Sequence, residues 1–224
     1  MDIITKAEQL TQLIPVNKKQ AEKLLIRTQG NITKAIQILQ HKITDTFIQK
    51  TSATSDEAKK YLEEENYHFS KALIRYENDK YTKTELILRK EKNKEHALDE
   101  IELAIVESQN LQKDYFWVTL ESMKTLNETQ HLIVRLMNWI NWESWEGDLA
   151  LYEDIADELK RLNVTWLYEP YDKCLNRMKE IQHTQHKIWE DKTFQKLYDI
   201  FLARREEIID ALYSYAVQHI DQLP

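Results

Sequence analysis

Glycine and proline are scarce in this sequence: its 224 residues include two glycines and three prolines. Strands joined by tight turns need both residues in number, because they supply backbone conformations that other residues adopt poorly. Long helices with few connections need little of either. The scarcity therefore predicts an all-α fold. It also excludes a glycine-rich loop that could cradle a phosphate, since two isolated glycines cannot form one.

Cysteine and long apolar runs are also lacking. Cys174 is the single cysteine, so the chain cannot form an internal disulfide, which fits a reducing compartment. No stretch approaches the roughly 20 apolar residues of a membrane span. Residues 1–13 lack the apolar segment that is typical of a secretory signal. We therefore expect a cytoplasmic protein that does not insert into a membrane.

The net charge of −7 is unevenly distributed along the chain. Residues 1–50 carry eight Lys/Arg and four Asp/Glu, a net charge of +4, and the remaining residues carry −11. A basic head on an acidic body is compatible with contact between the head and nucleic acid or an acidic partner. A small solvated module has the same composition, so charge leaves both interpretations open.

The first 42 residues have the signals of three short helices. Pro15 ends the first helix. Asn17 and Asn31 are suited to cap the second and third helices, and Gly30 is suited to the left-handed position that follows the second. Apolar or small residues recur at helical spacing in the second helix (Ala21, Leu24, Leu25, Thr28) and in the third (Ile32, Ala35, Ile36, Leu39). Helices of about ten residues are unstable alone, so we expect the three to pack together.

These residues form a pattern, Ala21-x-x-Leu24-Leu25…Gly30-Asn31-Ile32-x-x-Ala35-Ile36-x-x-Leu39, that resembles the ubiquitin-associated (UBA-like) three-helix fold. It is similar to the N-terminal module of translation elongation factor Ts and to the small C-terminal module of N-acetylmuramic-acid phosphate etherases. Such modules use the first loop and the end of the third helix as a partner surface. The resemblance therefore implies a protein-binding surface at Ile14, Pro15, Val16, Ile38 and Leu39.

The loop that carries Met-Gly-Phe/Tyr in ubiquitin binders reads Leu13-Ile14-Pro15-Val16 here. The resemblance thus implies a protein partner without implying ubiquitin. The alternative is that these apolar residues close the core of the module or dock it on the rest of the chain.

The segment from Leu25 to Leu39 is also similar to the first half of helix-turn-helix DNA-binding domains of the bacterial enhancer-binding type. A recognition helix would then run from Thr44 to Lys50. Those domains have a Leu-Gly-Ile turn and a basic reading helix, whereas this segment lacks the turn glycine and carries one cation. Phosphate contacts need several cations, so nucleic acid is the less favoured partner.

The body of the chain is predicted to be a bundle of antiparallel helices. Residues 51–55 are small and polar and suit a linker. Thr54 and Glu57 are suited to form a capping box at the start of a long helix that follows. Residues 89–96 hold no apolar side chain and predict the tip of a helical hairpin with Asn93 near the turn; residues 163–170 suit a later connection. We predict a UBA-like module at 1–50 and an elongated helical-bundle body at 51–224.

Two sets of residues could bind metal. The first lies on one helix face and consists of Glu180, His183, His186 and Glu190, residue types that bind zinc, iron or manganese. The second is Asp154-x-x-Asp157, with Asp99 or Glu100 as a second-helix partner, which is close to the spacing by which all-α nucleotide pyrophosphatases bind magnesium. Solvated polar faces have the same patterns, and 38 acidic residues produce such spacings by chance.

Tryptophans recur at 139, 142 and 145, which is compatible with a partner anchor and more typical of a core wedge beneath neighbouring helices. Cys174 has no histidine at a helical spacing and is expected to be a small buried residue.

These observations predict a non-catalytic adaptor or regulator that binds another protein through its N-terminal module. No catalytic residue, metal or cofactor is assigned. A DNA-binding regulator and a metal-dependent all-α nucleotide hydrolase are the alternatives.

Overall fold

A computed structural model of the chain describes residues 2–114, 117–146, 151–180 and 190–224; of residues 117 and 142–146 it describes the backbone alone. These ranges are almost entirely helical, which confirms the predicted all-α fold. Within them, the one strand pair joins Lys113–Asp114 (β1) to Trp117–Val118 (β2) in antiparallel register. No helix in these ranges combines the length and the apolar character needed to cross a membrane.

The chain divides into two compact units, unit 1 at Met1–Tyr81 and unit 2 at Thr82–Pro224. Unit 1 contains helices Ile3–Leu13 (α1), Lys18–Arg27 (α2), Ile32–Thr51 (α3), Ser55–Glu64 (α4) and Phe69–Lys80 (α5). In its described residues, unit 2 contains Lys83–Lys90 (α6), Lys94–Gln109 (α7), Leu120–Met123 (α8), Glu128–Glu146 (α9), Glu153–Arg161 (α10), Thr165–Glu180 (α11), Lys192–Gln218 (α12) and a 3₁₀ turn at Ile220–Gln222. The boundary predicted at residue 50 lies at the end of α3, inside unit 1.

Local signals define the first three helices as predicted. α1 ends before Pro15. The side chains of Asn17 and Asn31 each accept a 2.9 Å hydrogen bond from the backbone N–H three residues later, so both residues are N-caps. Gly30 has a φ of +77°, the left-handed conformation expected of a glycine between two helices. The three helices bury a shared core of Ala7, Leu10, Ile14, Ala21, Leu24, Leu25 and Ala35.

The third helix continues well past its predicted end, because residues 32–51 form one unbroken helix. The helix-turn-helix alternative needs a turn after Leu39 and a separate recognition helix from Thr44 to Lys50. That separate helix is not formed, and Phe47, in its middle, is fully buried. The buried aromatic ring requires partners from later in the chain, which α4 and α5 supply.

The second core of unit 1 explains why the unit extends to Tyr81. Phe47 packs edge-to-face on Tyr76, with ring centroids 5.6 Å apart, and shares a buried cluster with Ala53, Ala58, Leu62 and Ala72. Ile43 on α3 packs against both this cluster and the first core. The two cores are therefore continuous, and a boundary at residue 50 would cut through them.

Of the predicted linker at residues 51–55, Thr51 ends α3 and Ser55 begins α4, and Ala53 between them is buried. The capping box of Thr54 and Glu57 is confirmed, with both of its reciprocal hydrogen bonds present. The prediction of a long helix after this box is wrong, because α4 ends at Glu64 and two nearby residues, Asn66 and Tyr67, both have positive φ. No glycine or proline marks this break.

The predicted hairpin tip is confirmed in unit 2. α6 ends at Lys90, α7 begins at Lys94, and the side chain of Asn93 caps α7 by accepting a 3.0 Å hydrogen bond from the backbone N–H of His96. The two helices pack against each other.

The main core of unit 2 lies among α7, α9, α10, α11 and α12. Trp139 is at its centre, edge-on to Tyr171 at 5.9 Å and to Phe201 at 5.0 Å between ring centroids. The interpretation of Trp139 as a core wedge is confirmed, since its side chain is 1 % exposed.

The connection predicted at 163–170 is wrong from Thr165 onward, because α11 begins at Thr165 and contains Pro170. A proline inside a helix costs about 3 kcal/mol through its missing N–H and its steric clash. The neighbouring Leu167 and Tyr171 are fully buried, and their burial offsets that cost.

Candidate functional site

Unit 1 carries an open groove of about 420 Å³ between α2 and α3, which we call the α2/α3 groove. One side consists of the α2 residues Gln20, Lys23, Leu24 and Arg27, and the other of the α3 residues Ile38, Leu39, Lys42, Ile43 and Thr46. Pro15 and Val16 from the loop before α2, and Phe69 at the start of α5, complete the lining.

Helical periodicity explains why these side chains share a surface. Residues three and four positions apart lie on the same face of a helix, and the α2 and α3 contributors have these spacings. The floor is tied to the core, because Leu24 is itself a core residue and Leu39 and Ile43 pack against the core from the groove side. The groove is therefore a continuation of the packing that holds the three helices together.

Four of the five residues expected from the UBA-like resemblance line this groove: Pro15, Val16, Ile38 and Leu39. Pro15 and Val16 come from the loop between α1 and α2, Ile38 and Leu39 come from α3, and the fold brings them together. Pro15 and Ile38 are exposed, whereas Val16 and Leu39 are half-buried.

Ile14 is placed differently. Its side chain is 2 % exposed and belongs to the core with Ala7 and Leu10. A side chain so buried closes the core and presents nothing to a partner, so the core-closing alternative describes Ile14 correctly.

The groove also has a charge that the motif did not include. Lys23, Arg27 and Lys42 line it, and no aspartate or glutamate does. All three cations are exposed, and none pairs with an acidic side chain in the described part of the chain. Lys50 adds a further cation at one end, with its Nζ 5.6 Å from the centroid of the Phe69 ring.

A sequence signal for the cations existed in the basic balance of residues 1–50 and in the i, i+4 spacing of Lys23 and Arg27. Phe69 had no such signal. It reaches the groove only because α5 folds back onto α3.

Two of the proposed magnesium residues, Asp154 and Asp99, have other partners in unit 2. Asp154 pairs with the buried guanidinium of Arg135, whose Nη2 lies 3.2 Å from Oδ1. Asp99 accepts a 3.2 Å hydrogen bond from Nδ2 of Asn141, and Asp157 is exposed on α10. Across the described ranges, no three His, Cys, Asp or Glu side chains are grouped in a way that could hold a metal ion.

The other metal-site hypothesis rests on Glu180, His183, His186 and Glu190. His183 and His186 lie outside the described residues, while Glu180 ends α11 and Glu190 lies just before α12; both glutamates are exposed.

Among the described residues of unit 2, burial strongly raises the pKa values of Glu102, Tyr171 and Cys174. Burial raises the pKa of Glu102 on α7 to about 7, and nearby Lys113 opposes the shift only in part. Burial likewise raises the pKa of the Cys174 thiol to about 11. The high pKa and the burial make Cys174 a poor nucleophile, as expected from the sequence. Of the tryptophan repeat, the side chains of Trp142 and Trp145 lie outside the described part.

Comparison with known proteins gives the family. Residues 82–221 match the family model for the YfbN C-terminal domain, which is more than half of the chain. The chain belongs to the YfbN C-terminal domain family. The matched range begins at the first residue of unit 2 and ends close to its last, so the YfbN C-terminal domain and unit 2 are the same part of the molecule.

The chain is also similar to the uncharacterized protein YfbN of Escherichia coli (strain K12), at 27% identity over 231 aligned residues. That alignment covers all of this chain and 97% of the relative. The alignment with YfbN thus spans unit 1 as well as the C-terminal domain. No solved structure matches the chain.

Proposed function

We propose that this chain is a non-catalytic adaptor or regulator that binds another protein through the α2/α3 groove of unit 1. The observation that carries the proposal is the convergence of Pro15, Val16, Ile38 and Leu39 on one open groove. The UBA-like resemblance independently implies a partner surface at these positions.

The character of the groove supports this role. Its floor is apolar and continuous with the core, and Ile38 at its rim is 39 % exposed. An apolar surface at the centre of a polar, charged rim is the usual arrangement of a protein interface. A partner side chain seated on Leu24, Leu39 and Ile43 would remove apolar surface from water, which is favourable by about 25 cal/mol per Å².

The UBA-like pattern covers only the first part of α3. The rest of α3 packs with α4 and α5 in the second core of unit 1. We place the role in the cytoplasm, which follows from the single cysteine and the absence of long apolar runs.

Site-specific photo-crosslinking tests the proposal. A benzophenone amino acid replaces Ile38 in the full chain, and a second protein carries it at Ile26. Ile26 is the matched control, because it is also exposed on a helix of unit 1, at 62 %, and does not line the groove. We expect a discrete adduct with one polypeptide from position 38 and none from position 26.

The partner identified from the adduct by mass spectrometry is then purified and titrated against Ile38→Ser and Ile26→Ser. Ile38→Ser should weaken binding by about tenfold, since removing a buried aliphatic side chain from an interface costs roughly 1–2 kcal/mol. Equal adducts at both positions, or equal affinities of the two serine variants, would refute a role of the groove.

A further inference from the structure

The distribution of charge around the groove specifies the partner more closely than its apolar floor does. Lys23 and Arg27 stand on the α2 side and Lys42 on the α3 side, so cations flank the apolar floor from both sides. The acidic residues of the same two helices, Glu22 and Asp45, do not line the groove. Asp45 faces His41 instead, with Oδ2 3.4 Å from Nε2.

The cations of the groove have no acidic partner among the residues that the structure describes, unlike two other cations of unit 1, Lys18 and Arg75. Lys18 pairs with Glu8 at 2.8 Å, and Arg75 pairs with Glu64 and Glu65. By contrast, Lys23, Arg27 and Lys42 have no such pair within the described residues. Three unneutralised positive charges around one apolar surface are unfavourable for one another and are relieved by negative charge on a ligand.

The walls of the groove also restrict the backbone conformation of the ligand. Both walls are helices, whose interior backbone N–H and C=O groups are already bonded within the helix, and the described residues of unit 1 include no strand edge. Along these two helical walls an extended peptide would find no main-chain partners. An amphipathic helix satisfies its own backbone and contributes apolar side chains at i, i+3, i+4 and i+7.

We infer that the occupant of the α2/α3 groove is an acidic amphipathic helix of a partner protein. Its apolar face lies on Leu24, Leu39 and Ile43, and its flanking carboxylates lie opposite Lys23, Arg27 and Lys42. This inference rests on the proposed function of the groove, and it adds the charge and the conformation of the partner segment.

The test uses three synthetic helical peptides of about 18 residues, or five turns. All three carry leucines at the same i, i+3, i+4, i+7 positions; their flanking residues are Glu in the first, Gln in the second and Lys in the third. Binding of each labelled peptide to the full chain is followed by fluorescence anisotropy at low and high salt. The Glu peptide should bind at least about tenfold more tightly than the Gln peptide, and this advantage should shrink in high salt.

Charge reversal supplies the decisive comparison. In the triple variant Lys23→Glu, Arg27→Glu, Lys42→Glu, the preference should invert, so that the Lys peptide binds more tightly than the Glu peptide. The matched control is Lys34→Glu, Lys59→Glu, Lys71→Glu, which reverses three exposed lysines of unit 1 outside the groove and should keep the wild-type order. Circular dichroism checks that both variants retain their helices.

The possible outcomes separate the inference from the proposed function. If the Glu and Gln peptides bind equally and Ile38→Ser weakens both, the groove binds protein but the acidic partner is wrong. The inference is overturned if no peptide binds. It is equally overturned if a duplex DNA or RNA oligonucleotide binds wild type in preference to the peptides and is lost in the groove triple variant. If Ile38→Ser and the triple variant both leave peptide binding unchanged, the proposed function fails as well.

Discussion

Lys6 donates a 2.8 Å hydrogen bond from its Nζ to the carbonyl oxygen of Gly30. The bond joins α1 to the turn between α2 and α3, where Gln29 and Gly30 both have positive φ. Two consecutive left-handed residues reverse the chain within a few positions, so α3 returns alongside α2 and the two helices can flank one groove. The turn and its lysine brace therefore position the candidate binding surface.

Gly30→Ala should destabilise unit 1. A left-handed φ costs a residue with a Cβ about 1–2 kcal/mol. The new Cβ would also lie 2.9 Å from Nζ of Lys6, which must then move away and give up its bond to the carbonyl. We expect a loss of about 1–2 kcal/mol in the free energy of unfolding, measured by urea denaturation with circular dichroism.

Lys6→Met is the companion variant, because it removes the hydrogen bond and keeps the glycine. It should cost less than Gly30→Ala, about 1 kcal/mol. A Gly30→Ala protein as stable as wild type would contradict the strain that the positive φ implies.

Glu102 should make unit 2 less stable as the pH rises. In the unfolded chain its pKa is near the ordinary 4.5, whereas burial raises the folded-state pKa to about 7. The folded state therefore holds the proton more tightly, and stability falls between these two values as the buried carboxyl ionises. Glu102→Gln removes this penalty, so the variant should exceed wild type by up to about 3 kcal/mol near pH 8 and match it near pH 4.

The measurement is the difference between the urea midpoints of wild type and Glu102→Gln across that pH range. Comparing the two proteins at each pH cancels the titration of groups that they share. A gap of the same size at both ends of the range would show that the buried carboxyl does not titrate as described.

Cys174 should react slowly in the native protein and rapidly after unfolding. Its side chain is fully buried, and its pKa of about 11 lies two units above the ordinary value of 9.0. The thiolate fraction near neutral pH is therefore about a hundredfold lower in the folded state, and burial adds a steric barrier. Alkylation at about pH 8, with and without denaturant, measures the ratio by mass spectrometry. A native rate within about threefold of the denatured rate would be incompatible with the buried site.

Sequence reasoning predicted the features that depend on neighbours a few positions away. The caps at Asn17, Asn31 and Thr54 use a backbone N–H three residues later, so the residue type and the start of an apolar pattern are sufficient to place them. The left-handed Gly30 was predictable for the same reason.

Features that depend on tertiary packing were not predictable in this way. The break at Asn66 and Tyr67 has no glycine or proline, and it is held by α5 packing back onto α3 and α4. In sequence, Phe47 was compatible with a DNA-reading helix, whereas in the structure its ring packs against Tyr76. Pro170 suggested a loop, and only the buried neighbours in α11 explain why the helix tolerates it.

The residues of the candidate site likewise divide into those that were predictable from the sequence and those that depend on tertiary packing. The loop and helix positions of the α2/α3 groove followed from the resemblance at Pro15, Val16, Ile38 and Leu39. The contribution of Phe69 required the path of α5, and the burial of Ile14 required the packing of α1.

The last described residues of unit 2 are held by hydrogen bonds to earlier elements. The hydroxyl of Thr129 donates to Oε1 of Gln222 at 2.6 Å, and the side-chain amides of Asn127 and Gln130 donate to the backbone carbonyl of Gln222. The backbone N–H of Thr84 donates to the carbonyl of Pro224. During translation, the start of α9 must therefore wait more than ninety residues for its partner to be synthesised. The cores of unit 1 draw only on residues 7–76, so unit 1 can fold during translation before the residues that complete unit 2 have been synthesised.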